Sequence, residues 1–112
     1  MSEGQFESDK AIHAVSPTFA PKTYAWGQYK AASPAHYFLL AEFREIGQQP
    51  PEPTRLAARL AELHKNSVSP TGKFGFHIKT CHGKMAQAND CWEDSWEIFY
   101  HKQLAQIGRA HV

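Results

Sequence analysis

The residues with the most chemical potential crowd between positions 77 and 97. His77, Cys81, His82 and Cys91 are metal-ligating types lying close together in sequence. A structural zinc site sets its ligands in two short pairs. The spacing here matches no such pattern, and adjacent Cys81 and His82 point apart on an extended segment. A zinc site is therefore disfavoured. Thr80, Gln87, Asn89 and Asp90 bring hydrogen-bonding groups to the same stretch, and Trp92 and Trp96 bring aromatic faces. Trp96 is in helical phase with Phe99, Tyr100 and Leu104, so its simplest role is packing in a core. Glu93, Asp94 and Glu97 then read as acids in the opening turns of that helix, where they complement its dipole. His64 closes an earlier periodic segment and suits a helix C-terminus as a cation.

These side chains need elements to hold them. Residues 1–16 read as a helix through the partial periodicity of Phe6, Lys10, Ile12, Ala14 and Val15, stopped by Pro17. The two prolines in 17–22 make an extended connector. Residues 23–29 are aromatic and strand-like, 30–35 form a Ser-Pro loop, and 36–43 are a second strand. The second strand is apolar at its centre, which predicts burial on both faces. The two strands suit an antiparallel hairpin. A proline-punctuated linker covers 47–53, and Thr54 is placed to cap a helix over 54–66. Leu56, Leu60 and Leu63 mark one face of that helix, opposite Arg55, Arg59 and Glu62. Residues 66–72 form a polar turn and 73–90 look irregular. A last helix is expected over about 92–106.

Bulk properties narrow the class. A chain of 112 residues allows one small domain, with no internal boundary visible. A net charge of +1 supplies no field that argues for nucleic acid or a membrane surface. The longest apolar run, 37–41, is far too short to span a bilayer, and no secretory signal opens the chain. Two Cys in that context read as reduced thiols in the cytoplasm.

One stretch carries a resemblance. Phe74-Gly75-Phe76, Thr80-Cys81-His82-Gly83, Gln87, Asn89-Asp90 and Trp96 follow one another in an order similar to the signature segment of the fructosamine/ketosamine 3-kinase family. The resemblance extends over nearly the whole chain, is most specific from 37 to 100, and fades after Gln103. It implies an α+β fragment of a protein-kinase-like fold. Residues 1–46 would be the end of the N-lobe with its antiparallel hairpin and hinge, and 47–112 the first helices of the C-lobe.

The resemblance also implies roles. Glu42, Phe43 and Arg44 would form the hinge that lines the adenine edge of ATP. Thr80, Gln87, Asn89 and Asp90 would lie on the substrate side of the cleft, with Trp92 or Trp96 as a stacking face. The implied reaction is ATP- and Mg²⁺-dependent phosphorylation of the sugar 3-hydroxyl of a ketosamine, the adduct carried by glycated lysines. The helix Glu of such kinases pairs a strand Lys; that Glu aligns with Gln5, since the family's Gly-Glu reads here as Gly4-Gln5, and Glu7, two residues out of phase, is the less favoured substitute. The kinase catalytic loop runs His-Gly-Asp-x-x-x-x-Asn, and His82-Gly83-Lys84 with Asn89 imitates its spacing. Lys84 stands in place of the proton-accepting Asp, and a cation cannot accept that proton. By resemblance, the flanking Thr80-Cys81 and the downstream Trp-rich helix assign the segment to the Thr-Cys-x-Gly turn instead, and no catalytic residue is assigned. With Gly-rich loop, Lys and catalytic Asp all lacking, the chain alone is expected to be inactive, loosely packed and prone to self-association. The alternative is a non-catalytic, pseudokinase-like binding module.

Overall fold

Prolines and short periodic runs divide the chain into the elements seen in the computed structural model, which describes residues 2–31, 33–83 and 85–110. Three helices and two small antiparallel sheets make an α+β architecture. Helix α1 (Ser2–Val15) ends just before Ser16 and Pro17, as the sequence predicts. Strands β1 (Thr23–Gln28) and β2 (Tyr37–Ala41) pair antiparallel, with Trp26 opposite Leu39 and Gln28 opposite Tyr37. A bond from Tyr29 N to His36 O (2.8 Å) extends the ladder towards the loop.

The expected burial of β2 on both faces does not occur. Tyr37, Phe38 and Leu40 are all exposed. An apolar run states what gains from burial, but a two-stranded sheet brings no second layer to cover it.

Helix α2 (Pro53–Asn66) also corrects an expectation. Its cap is Glu52, not Thr54. Pro53 takes the first helical position, where its fixed φ fits and its missing N–H costs nothing. The Glu52 carboxylate then accepts from Thr54 N (3.0 Å) and Arg55 N (2.8 Å). Those two N–H bonds hold its carboxyl below the usual range. At the other end Ser67 N donates to Leu63 O (3.1 Å). Arg59 Nη2 donates to Thr18 Oγ1 (2.8 Å), and its guanidinium lies over the Phe19 ring, tying the helix to the connector after α1.

The last helix, α3 (Trp96–Ala110), starts four residues later than the periodicity predicts. Ser95 sets the start: its Oγ accepts from Ile98 N, the third helical N–H. Trp92 and Glu93 are extended instead, because Glu93 bridges Phe74.

Contacts divide the chain into two compact units, one of residues 3–5 with 68–110, the other of residue 2 with 6–67. Leu63 in the second and Phe99 in the first are the most buried apolar side chains described, each 9 % exposed.

Candidate functional site

The stretch from 74 to 93 is a distorted β-hairpin. Its neck is a reciprocal pair of bonds, Phe74 N to Glu93 O (2.8 Å) and Glu93 N to Phe74 O (2.9 Å). Further rungs run from Phe76 N to Asn89 O (2.7 Å) and from Gln87 N to Thr80 O (2.8 Å). Strands β3 (Cys81–His82) and β4 (Met85–Ala86) pair beyond them, and Gly83 turns the tip at φ +62°. The rungs are unevenly spaced, so no period-2 pattern marks the hairpin in the sequence.

Two glycines make this shape possible. Gly75 has φ +145°, and a Cβ there would lie 2.5 Å from Cys91 O. Gly4 is buried in the first turn of α1, and a Cβ there would lie 3.0 Å from Lys79 O and 3.2 Å from Thr80 Cα. Sequence reasoning missed Gly4; the only signal was a glycine inside a helix, which normally carries a packing reason. It likewise missed the ion pair of Lys102 with Glu93, which clips the neck to α3 and raises the Lys102 pKa. Glu93 is thus spent on the hairpin and on Lys102 rather than on the helix dipole. Asp94 lies 3.7 Å from Lys73.

Three of the four expected substrate-side residues come together inside the hairpin. Thr80 Oγ1 donates to Gln87 Oε1 (2.9 Å) and accepts from Asn89 Nδ2 (2.6 Å). Thr80 N donates to Asn89 Oδ1 (3.1 Å). These bonds occupy the Thr80 hydroxyl and both groups of the Asn89 amide. The Gln87 Nε2 group donates to no other described residue. Asp90 stands apart and exposed. Gln87 also lines a recess of about 230 Å³ with His82, Met85, Ala86, Gln103, Gln106 and Ile107. Its polar lining is three carboxamides and an imidazole.

Trp96 is not a core residue. It is half exposed, edge-on to Phe74 (5.4 Å) and stacked on Tyr100 (5.7 Å). Among the described side chains of that helix, Phe99 alone is deeply covered, and Trp96 falls on its more exposed side.

The hinge trio belongs to the other unit and follows β2. Glu42 N donates to Lys22 O (2.7 Å), so that N–H is already used. Arg44 Nε donates to the Glu42 carboxylate, and Phe43 is exposed. The Phe43 and Arg44 main-chain groups enter no backbone–backbone bond among the described residues. Those are the group types that could hold an adenine edge. Gln5 faces solvent, while Glu7 is half-buried and partnered. Lys84 lies outside the described residues. Among the described residues no three His, Cys, Asp or Glu side chains come together as a metal site. Among the described residues no helix is long and apolar enough to cross a membrane.

The element order and the hairpin fit part of a kinase-like protein. The chain matches the fructosamine kinase family over residues 1–109 and belongs to it. It is 30 % identical over 102 residues to protein-ribulosamine 3-kinase, chloroplastic, of Oryza sativa subsp. indica, and equally to that of subsp. japonica. These matches cover 91 % of this chain but only 28 % of each relative's length. No solved structure matches it.

Proposed function

We infer that this chain is a portion of an ATP-dependent ketosamine 3-kinase, acting on fructosamine- or ribulosamine-modified lysines in protein deglycation. The observation that carries the reading is the ordered hairpin 74–93 within a match to the fructosamine kinase family. In this reading Thr80 and Asn89 fix the turn, and Gln87 Nε2 and the Asp90 carboxylate face the sugar. The neutral amide lining beside Gln87 suits hydroxyl groups, which both donate and accept. The free main-chain groups of Phe43 and Arg44, with Glu42 braced by Arg44, take the adenine of ATP. Bound ATP would supply the transferred phosphoryl group.

In this reading Asp90 contacts the sugar without acting as its base, and among the described residues no three His, Cys, Asp or Glu side chains gather to hold Mg²⁺. Positioning and charge neutralisation make up most of phosphoryl-transfer catalysis. The chain alone is therefore inactive in this reading, and its compartment is a reducing one such as the cytoplasm, consistent with free, exposed Cys81 and Cys91.

The test has two arms. Purified chain with ATP, Mg²⁺ and a ribulosamine should transfer no phosphate above buffer. Backbone NMR should show shifts at 87–90 on adding the ribulosamine and at 42–44 on adding ATP. Turnover would refute the inactive reading, and shifts confined to other residues would refute the site.

A further inference from the structure

We propose, resting on the sugar contact given to Gln87 above, that the recess beside it is a subsite for the lysine that carries the sugar. Gln103 and Gln106 there select a lysine embedded in a peptide over one with a free α-carboxylate. Gln87 is shared between sugar and recess. Its Oε1 accepts from Thr80 Oγ1 (2.9 Å), which anchors the carboxamide, and it lines the recess with Gln103 and Gln106 of α3. All three are half-buried. Among the described residues the Gln103 and Gln106 side chains have no hydrogen-bond partner. At about 230 Å³ the recess is smaller than pockets that enclose whole ligands, so it takes one part of a substrate.

The lining fits the part that lies next to the sugar. In a glycated protein the sugar nitrogen continues into the lysine methylenes, which end at the peptide main chain. Met85, Ala86 and Ile107 give the recess an apolar wall suited to those methylenes. A carboxamide carries the acceptor and the N–H donors of a peptide group, so it can pair with one reciprocally. Gln103 and Gln106 are one turn apart on the same side of α3, and their long side chains can meet a neighbouring C=O and N–H. An apolar segment closing over the recess would strand these carboxamides, so its occupant is polar. Among the described residues lining it none is Lys, Arg, Asp or Glu, so the occupant is also neutral.

Selection follows from that neutrality. A free α-carboxylate entering the recess gives up water and meets no counter-charge among these residues. The amide of the same lysine offers an N–H and a C=O, and the carboxamides answer both. His82 and Ile107 on the rim are exposed, so water reaches part of the recess. The smaller end of the penalty for an unpaired group then applies, about tenfold in affinity.

NMR titration of the full chain at about pH 8, where an ordinary imidazole is neutral, compares two ligands. One is Nα-acetyl-Nε-ribulosyl-lysine with its free α-carboxylate, and the other is the N-methylamide of the same compound. Sugar and secondary amine are common to both, so the ratio of their dissociation constants reports the recess. The methylamide should bind about tenfold more tightly and should shift the side-chain NH₂ signals of Gln103 and Gln106. Gln103→Lys keeps a good helix former and adds a cation, so its circular dichroism should match wild type and the preference should vanish. Equal affinities, or unmoved Gln103 and Gln106 signals while 87–90 shift, would overturn the subsite and leave the sugar contact standing. A preference that survives Gln103→Lys would overturn it too. Shifts absent from 87–90 with both ligands would sink the sugar contact, and the subsite with it.

Discussion

Replacing Gly75 by alanine should unlock the neck of the hairpin. The new Cβ would lie 2.5 Å from Cys91 O and 3.2 Å from Cys91 C. Cys91 is backbone, so relief requires the 89–93 strand to move away. That movement breaks the reciprocal Phe74–Glu93 bonds. Two neutral backbone bonds contribute roughly 1–3 kcal/mol net. The conformation at φ +145° adds roughly 1–3 kcal/mol of strain for any L side chain. The expected loss is about 4 kcal/mol, a large part of the stability of a chain this size. Gly72→Ala supplies the control. Gly72 has φ +73° but open surroundings, so it carries the dihedral cost alone. Urea denaturation followed by fluorescence of Trp92 and Trp96 would measure both variants. Gly75→Ala should unfold at least ~1.5 kcal/mol more easily than Gly72→Ala, the part owed to displaced backbone. Equal losses would refute the steric account of the neck.

Three further outcomes follow from the structure. The Glu52 carboxyl is held low by the N–H groups of Thr54 and Arg55, so its contribution is present above the ordinary Glu pKa of about 4.3 and is lost as pH falls below it. Glu52→Gln should lower α2 helicity at neutral pH and remove that acid-side loss in far-ultraviolet circular dichroism; an unchanged acid profile would contradict the cap. Asp9, whose pKa burial raises, acts with the opposite sign and favours folding at acid pH, so Asp9→Asn should weaken the loss of stability as pH rises through the carboxylate range. Thr80→Val removes one hydroxyl that serves two amides, leaving Gln87 Oε1 and Asn89 Nδ2 unpaired at a cost of about 2 kcal/mol. Amide exchange at 80 and 87 should accelerate while exchange in α2 stays unchanged; uniform acceleration would mean that the hairpin does not open on its own.

Local chemistry written in the chain determined the order of elements. Pro17 ends α1, the aromatic run 23–29 and the apolar run 37–41 make strands, Pro53 starts α2, and the order Phe-Gly-Phe, Thr-Cys-x-Gly, Gln, Asn-Asp, Trp marks the fructosamine kinase family. Each signal lies within a few neighbouring residues, so one sequence suffices to read it. The tertiary structure decided what depends on register between distant positions. Thr80 meets Gln87 and Asn89 because the hairpin folds 74 onto 93, and Gly4 lies against Thr80 across most of the chain. That same fold took Glu93 out of the last helix and moved the helix start to Trp96. Burial was decided there too. Hydrophobicity in β2 and in α3 records a gain available on leaving water, but only the presence of a covering layer realises it, and Phe38, Leu40 and Trp96 stay exposed where this chain supplies none.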